Sequence, residues 1–228
     1  MDKIQKVKSI TLWIFFIPLI AINTCLIIVI HFQEWLAVGD GIGPTIPYID
    51  GGTSISRTAR IFPTYFIFKP AMFLTSYLLI KYWLFNKEII SFFDSNHKHI
   101  KKIVFFGIAS AIFLTVHSIF LGIKFDNDFY KLFRRIVMLC FIIFEIVAQT
   151  YLVVSIYSIK NKLINLINTK VLLLKLILVS VLIIVAICSI PIISQDGNKV
   201  FKHALEWDFF VGVITFYLLT FFMWKKNN

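Results

Sequence analysis

The chain has 228 residues and combines an apolar composition with a strong positive charge. Hydrophobic residues make up 59% of it, charged residues only 15%, and the formal net charge is +11. Because a soluble domain carries about 25% charged residues, this composition excludes an ordinary soluble globular protein. A basic soluble protein would suggest nucleic-acid binding, but the membrane topology derived below accounts for the charge, so we expect no nucleic-acid partner.

Six apolar segments are long enough to cross a membrane as helices, since a bilayer core requires roughly 20 mostly apolar residues. They do not alternate polar and apolar residues as barrel strands do, so helix is the predicted spanning form. The sequence thus predicts an all-α polytopic membrane protein, a six-transmembrane-helix bundle in one membrane domain that covers residues 1–228. The predicted spans are, approximately, 9–31, 61–85, 103–123, 136–158, 171–193 and 209–224.

The distribution of basic residues predicts that both termini lie in the cytoplasm, because cytoplasmic loops carry an excess of lysine and arginine. In this orientation thirteen lysines face the cytoplasm, and eight lysines and arginines face the outside. We expect the basic cytoplasmic face to attract anionic lipid. The abundance of Ile, Lys, Phe and Asn indicates an AT-rich genome, and the predicted location is a bacterial cytoplasmic membrane.

The longest outer loop, predicted at residues 32–60, contains a polar segment that runs from Pro47 to Arg60. Within it, Asp50-Gly51-Gly52 is a strong turn signal. Hydroxyl residues that follow the turn are candidate N-caps of a helix that continues into the second span. These candidates are Thr53, Ser54 and Ser56.

This segment also has the residue types that bind a lipid headgroup or a phosphate. Backbone amides at glycine turns and helix N-termini bind anions, and arginine side chains match phosphate oxygens. The candidate headgroup-binding residues are Asp50, Gly51, Gly52, Ser54, Arg57 and Arg60. The alternative is a structural turn, in which the hydroxyls cap a helix and the arginines pair with Asp50 or Asp40.

Three ionisable residues lie deep within predicted spans, in the outer half of the membrane or near its midplane: Lys69, His117 and Glu145. Charged groups inside a membrane are costly and usually face a partner or a cavity. They are candidate catalytic or ligand-binding groups that line a polar cavity beneath the long outer loop. Alternatively, Glu145 and Lys69 form a structural ion pair, or Lys69 extends to the interface. Lys175, near the cytoplasmic end of its span, is expected to extend to the interface.

The motifs of several enzyme classes are absent, since the sequence contains no HExxH, no GxSxG and no Walker sequence. Cys25, Cys140 and Cys188 lie within predicted spans without a CxxC pair, so they predict neither a disulfide framework nor a metal site. No metal and no cofactor is predicted. The sequence leaves open whether the protein is an enzyme.

Six spans, a cytoplasmic N-terminus and the segment Pro47-Tyr48-Ile49-Asp50-Gly51-Gly52 before the second span resemble the Frag/DRAM/Sfk family of six-span membrane proteins. That family includes the GPI-anchor lipid remodelling factor and autophagy modulators, and the resemblance implies a role in handling lipids or lipid-linked anchors. The leading hypothesis is a protein that binds, remodels or distributes a lipid or lipid-linked glycan at the outer leaflet, with membrane lipids as partners. Two alternatives stay open: a small proton-coupled transporter that uses Glu145, and a non-catalytic membrane scaffold.

Overall fold

The computed structural model describes residues 2–32, 42–123, 128–194 and 197–225. Within these ranges the regular secondary structure is helical, and Ile167 and Trp224 form an isolated backbone bridge. The helices are α1 (Asp2–His31), α2 (Pro47–Asp50), α3 (Ile55–Ala59), α4 (Tyr65–Phe93), α5 (Ile100–Phe120), α6 (Asp128–Ser158), α7 (Thr169–Ser194) and α8 (Lys199–Met223). A short 3-10 turn, Lys160–Leu163, lies between α6 and α7.

The long helices α1, α4, α5, α6, α7 and α8 pack on one another in chain order, and α8 returns to pack against α1. We call this arrangement the helix ring. Gly107 allows α5 to approach α4 closely, because a Cβ atom at this position would collide with the indole of Trp83. The ring therefore brings side chains that are far apart in the sequence toward a common interior.

The two ends of the helix ring differ, and we call them the lysine-rich end and the loop end. The lysine-rich end contains the start of α1, the α4–α5 and α6–α7 connections and the end of α8. There, Lys3 forms a 2.8 Å ion pair with Glu88, and Lys162 donates a 2.9 Å hydrogen bond to the carbonyl of Phe93. The loop end contains residues 42–64, the ends of α5 and α7 and the starts of α6 and α8.

Backbone hydrogen bonds fasten the end of α8 to the α6–α7 connection. The N–H of Asn168 donates to the carbonyl of Met223 at 2.7 Å, and the N–H of Lys225 donates to the carbonyl of Leu166 at 2.9 Å. The lysine-rich end is therefore closed by main-chain bonds between two segments that are distant in sequence.

Five helices have the length and composition of membrane spans: α1, α5, α6, α7 and α8. The all-α class is confirmed, and these five helices indicate a membrane protein. The remaining predicted span corresponds to α4, which has 29 residues. It carries four charged residues that lower its hydropathy, namely Lys69, Lys81, Lys87 and Glu88. The sixth span and the orientation of the termini stay predictions.

Two helices begin earlier than the hydropathy indicated. α6 begins at Asp128 rather than near residue 136, and α8 begins at Lys199 rather than near residue 209. Hydropathy detects only the apolar part of a helix, whereas its backbone hydrogen bonds continue through the charged turns beyond. Residues 128–135, predicted as an outer loop, therefore form the first two turns of α6.

The polar segment of the long loop contains two short helices instead of the start of a span. Ser54 is an N-cap as predicted, because its Oγ accepts a 3.1 Å hydrogen bond from the N–H of Arg57. The helix that it caps ends at Ala59, however, and α4 begins only at Tyr65. Pro63 lies in the interruption, and a proline has no N–H to continue a helix.

Candidate binding cavity

The loop segment that contains α2 and α3 is held against α8. The indole N–H of Trp207 donates a 2.9 Å hydrogen bond to the carbonyl of Thr53, and the Trp207 ring packs edge-on against Tyr48, with 4.9 Å between ring centroids. Gly51 ends α2 in the left-handed conformation with a φ of 57°. A Cβ atom there would collide with the backbone of Val200, so the glycine lets α2 lie directly on α8.

Asp50 organises this turn through hydrogen bonds within the loop. Its Oδ1 accepts from the Thr45 hydroxyl and from the Gly52 N–H, and its Oδ2 accepts from the Ile46 N–H. These bonds, that of Thr45 first, lower the pKa of the Asp50 carboxyl. The N–H of Gly51 also donates to a carbonyl of α2. Both glycine amides therefore donate to acceptors within the loop segment.

Four of the predicted headgroup residues, Asp50, Gly51, Gly52 and Ser54, have hydrogen-bond partners within the loop segment, as the structural interpretation expects. The arginine pairing that accompanied this interpretation is not observed, because Arg57 and Arg60 form no ion pair within the described part of the chain. Asp40, the other suggested partner, lies outside the described residues. The two arginines thus remain candidates for contact with a ligand.

A cavity of about 1510 Å³ extends from the loop end into the interior of the helix ring. It is lined by α1, α3, α4, α5, α6 and α8, whereas α7 contributes no lining residue among those described. Most of its wall is apolar, with lining residues that include Ile14, Ile22, Phe68, Met72, Phe210 and Ile214. Small-molecule pockets usually measure about 300–1,000 Å³, so this cavity has room for a larger ligand.

Basic side chains surround the mouth of the cavity at the loop end. Arg57 belongs to α3, and Arg60 follows that helix. Arg134 and Arg135 come from the first two turns of α6, together with Lys131, and all five side chains line the cavity. The sequence prediction included only Arg57 and Arg60 in the site.

The arginines of α6 were missed because residues 124–135 were predicted to be a loop. The sequence does contain a usable signal, since Arg134 and Glu145 are eleven residues apart. Eleven residues correspond to about three helical turns, so both side chains lie on one face of a continuous helix. Met138 and Ile142 lie between them on this face and also line the cavity.

Glu145 lies at the floor of the cavity, where its side chain is almost completely buried. Its Oε1 accepts hydrogen bonds from the hydroxyl of Tyr217 and from Nε2 of Gln149, the latter at 3.0 Å. Its Oε2 accepts a 2.6 Å hydrogen bond from the hydroxyl of Ser110. We call these four residues the Glu145 cluster. Donors from α5, α6 and α8 thus orient one carboxyl group.

The other two predicted deep residues have different positions. His117 lines the cavity, is buried, and has no hydrogen-bond partner for its Nδ1 among the described residues. Lys69 does not line the cavity. Its Nζ donates a 3.2 Å hydrogen bond to the carbonyl of Ile119 and lies 5.8 Å from the ring centroid of Tyr65. The suggested ion pair between Glu145 and Lys69 is therefore absent.

Lys175 is fully buried, and the prediction that it extends to the interface is wrong. Its Nζ donates a 2.6 Å hydrogen bond to the hydroxyl of Thr220 and lies 3.8 Å from the ring centroid of Phe216. Both partners belong to α8, which packs against α7 along this stretch. The packing of α7 against α8 therefore buries Lys175. Its position near a helix end would by itself have allowed the side chain to reach water.

No group of three or more His, Cys, Asp or Glu side chains that could hold a metal ion occurs among the described residues. The chain matches no protein-family model, and no curated protein and no solved structure shows significant similarity to it.

Proposed function

We propose that the protein binds a lipid or lipid-linked glycan in this cavity, at the outer leaflet of a membrane. The observation that carries the proposal is the combination of a basic mouth and a largely apolar interior in one cavity of about 1510 Å³. An amphipathic molecule matches both parts, because its anionic head meets the arginines while its apolar chains contact the wall. A fully polar metabolite would leave most of the apolar wall without a complementary partner.

The proposal includes α4 as a sixth span and places the loop end outside a bacterial cytoplasmic membrane. At 1.5 Å per residue, 29 residues give a helix of about 43 Å, long enough to cross a bilayer core. Residues 70–80 of α4 carry no charge, and the lysines on either side of them can extend toward the interfaces. The excess of lysine at the opposite end supports a cytoplasmic position for that end.

Within this proposal, Arg57, Arg60, Arg134 and Arg135 hold the head of the ligand. His117 and Glu145 face the ligand farther inside the helix ring. The resemblance of the Pro47–Gly52 segment to the Frag/DRAM/Sfk family supports an extension from binding to remodelling or distribution of the lipid.

The test is the lipid content of the purified protein. We expect replacement of both Arg57 and Arg60 by Ala to reduce the amount of co-purified lipid, measured by mass spectrometry, because the head loses two charge-assisted contacts. The matched control replaces Lys199 and Lys202 by Ala, which removes two charges from the same end of the ring at positions that do not line the cavity, and it should leave the lipid content unchanged. Unchanged lipid content in the arginine variant, with the thermal transition preserved, would contradict the headgroup assignment.

A second candidate, a proton-coupled transporter, is favoured by one observation: a buried carboxyl group, Glu145, lies at the floor of a cavity that opens at one end of the ring. Intramembrane carboxyl groups often serve in proton pathways. Proteoliposomes that contain a pH-sensitive dye should then show proton flux that disappears in Glu145→Gln. Flux that survives this substitution excludes the candidate. A non-catalytic scaffold, the remaining alternative, has no need of such a cavity.

A further inference from the structure

Four arginine side chains at the mouth of the cavity have no carboxylate partner among the described residues. Arg57, Arg60, Arg134 and Arg135 line the cavity, and none of them forms an ion pair within the part of the chain that the structure describes. The Nε atom of Arg134 is buried and lacks a hydrogen-bond acceptor there. Because unpaired buried donors are costly, the mouth is suited to an anion from outside the protein.

Arg60 experiences the positive charge of two of the other guanidinium groups. Partial burial, followed by the positive charges of Arg134 and Arg57, lowers the pKa of Arg60. Arg57 and Arg60 are held in place by the loop segment on α8, whereas Arg134 belongs to α6. An anion bound between these elements would remove the repulsion and supply the missing acceptors.

Among the described residues, the carboxyl groups at the loop end do not cancel this positive charge. Asp128 is engaged by Lys131 in a 2.9 Å ion pair. Glu206 lines the cavity and accepts a 3.4 Å hydrogen bond from the N–H of Ser56. Even when Glu206 is ionised, the four arginines exceed it by three positive charges. A zwitterionic head brings no net charge and a phosphodiester brings one negative charge, whereas a phosphomonoester carries about two at pH 7.

We propose, on the basis of the lipid-binding function above, that the ligand is a lipid whose head ends in a phosphomonoester or diphosphate group. Guanidinium groups bind phosphate oxygens in a bidentate manner, and four of them offer donors to every terminal oxygen of such a head. The chains of the lipid extend along the apolar wall toward Glu145. The cavity therefore selects its ligand by the charge of the head.

The test compares three dioctanoyl lipids that differ only in the head, titrated into the purified full-length protein in an uncharged detergent. Phosphatidic acid has a phosphomonoester, phosphatidylglycerol a phosphodiester, and phosphatidylcholine a zwitterionic head. We expect phosphatidic acid to bind at least about tenfold more tightly than the other two, as an additional charge-assisted contact implies.

Arg134→Ala and Arg135→Ala should each reduce this preference. Lys199→Ala should preserve it, because Lys199 provides the same positive charge at the loop end but does not line the cavity. If Arg134→Ala does not fold, Arg134→Lys keeps the charge without the bidentate geometry and should also reduce the preference.

The possible failures are distinguishable. Equal binding of the three lipids overturns the selection by head charge and leaves lipid binding intact. Absence of binding by any lipid overturns the proposed function itself. Inorganic pyrophosphate serves as a probe without chains, and binding as tight as that of phosphatidic acid would identify a soluble phosphate ligand and overturn the lipid assignment.

Discussion

The carboxyl group of Glu145 accepts hydrogen bonds from three different side chains in the interior. Ser110, Gln149 and Tyr217 each donate a hydrogen bond to it, and each of these side chains is buried. Inside a protein, where the local dielectric constant is low, such hydrogen bonds are stronger than in water. Glu145 therefore has a structural role in joining α5, α6 and α8, in addition to any role toward a ligand.

We expect Glu145→Leu to lower the thermal stability of the protein in detergent. The substitution leaves the buried hydroxyl of Tyr217 without its acceptor, and an orphaned donor of this kind costs about 1–3 kcal/mol. Ser110 and Gln149 each lose one of two acceptors, because they also donate to the carbonyls of Gly107 and Val213. Glu145→Gln keeps an acceptor oxygen in the same position, so its effect should be smaller. The measurement is the midpoint of thermal unfolding by intrinsic fluorescence.

Ile143→Ala is the matched control for these variants, because Ile143 lies on the same helix and is 47% exposed. Its unfolding midpoint should remain close to that of the original protein. Equal midpoints for Glu145→Leu and Ile143→Ala would show that the cluster contributes nothing to stability.

At the scale of elements, the contact between α2 and α8 depends on one glycine. Gly51 combines a φ of 57° with an approach to Val200 that leaves no space for a Cβ atom. This contact positions the loop segment and, through it, Arg57 and Arg60. The turn at Gly51 therefore helps to position the arginines of the cavity mouth.

We expect Gly51→Ala to detach this segment from α8, because an L-residue is strained in the left-handed conformation and its Cβ atom collides with Val200. Hydrogen–deuterium exchange of the amides at residues 50–53 should become faster. Gly43→Ala provides the control, since a Cβ atom at Gly43 meets nothing within 4 Å. Exchange that is equally slow in both variants would contradict the role assigned to Gly51.

Only part of α6 could be predicted from the sequence. Its apolar centre and Glu145 were predicted, because hydropathy and an isolated charge are properties of the sequence itself. Its first two turns were not, because charged residues there lower the hydropathy below that of a span. Arg134 and Arg135 were consequently assigned to a loop and omitted from the site.

The sequence also could not predict which side chains of other helices would be in contact. The position of Lys175 near a helix end predicted exposure, whereas its acceptor, Thr220, lies on α8, 45 positions along the chain. Similarly, nothing in the sequence shows that Lys69 turns away from the interior while His117 faces the cavity. Such contacts arise only from the packing of complete helices.

At the scale of the whole molecule, the helix ring separates a basic cavity mouth from a lysine-rich surface at the opposite end. A membrane-spanning α4 requires residues 42–64 and the α4–α5 connection to lie on opposite sides of the membrane. The two ends of the ring would then face different compartments. The side on which each end lies is accessible to chemical labelling.

We expect a membrane-impermeant maleimide to label Ile49→Cys in intact cells and Asn96→Cys only after permeabilisation. Ile49 is 81% exposed at the loop end, and Asn96 is exposed in the α4–α5 connection. Both substitutions are made in a protein in which Cys25, Cys140 and Cys188 have been replaced by Ser. Labelling of both positions from the same side would show that α4 does not cross the membrane.

The main-chain bonds between the α6–α7 connection and the end of α8 have a mechanical consequence. They hold the end of α8 against the connection that follows α6, so these helices have a common fixed point at the lysine-rich end. We therefore expect a ligand that widens the cavity to displace these helices most at the loop end and least near Met223. Arg134 lies far from the fixed point and would move farther than Glu145. The contacts with the head of the ligand would then change more than the hydrogen bonds around Glu145.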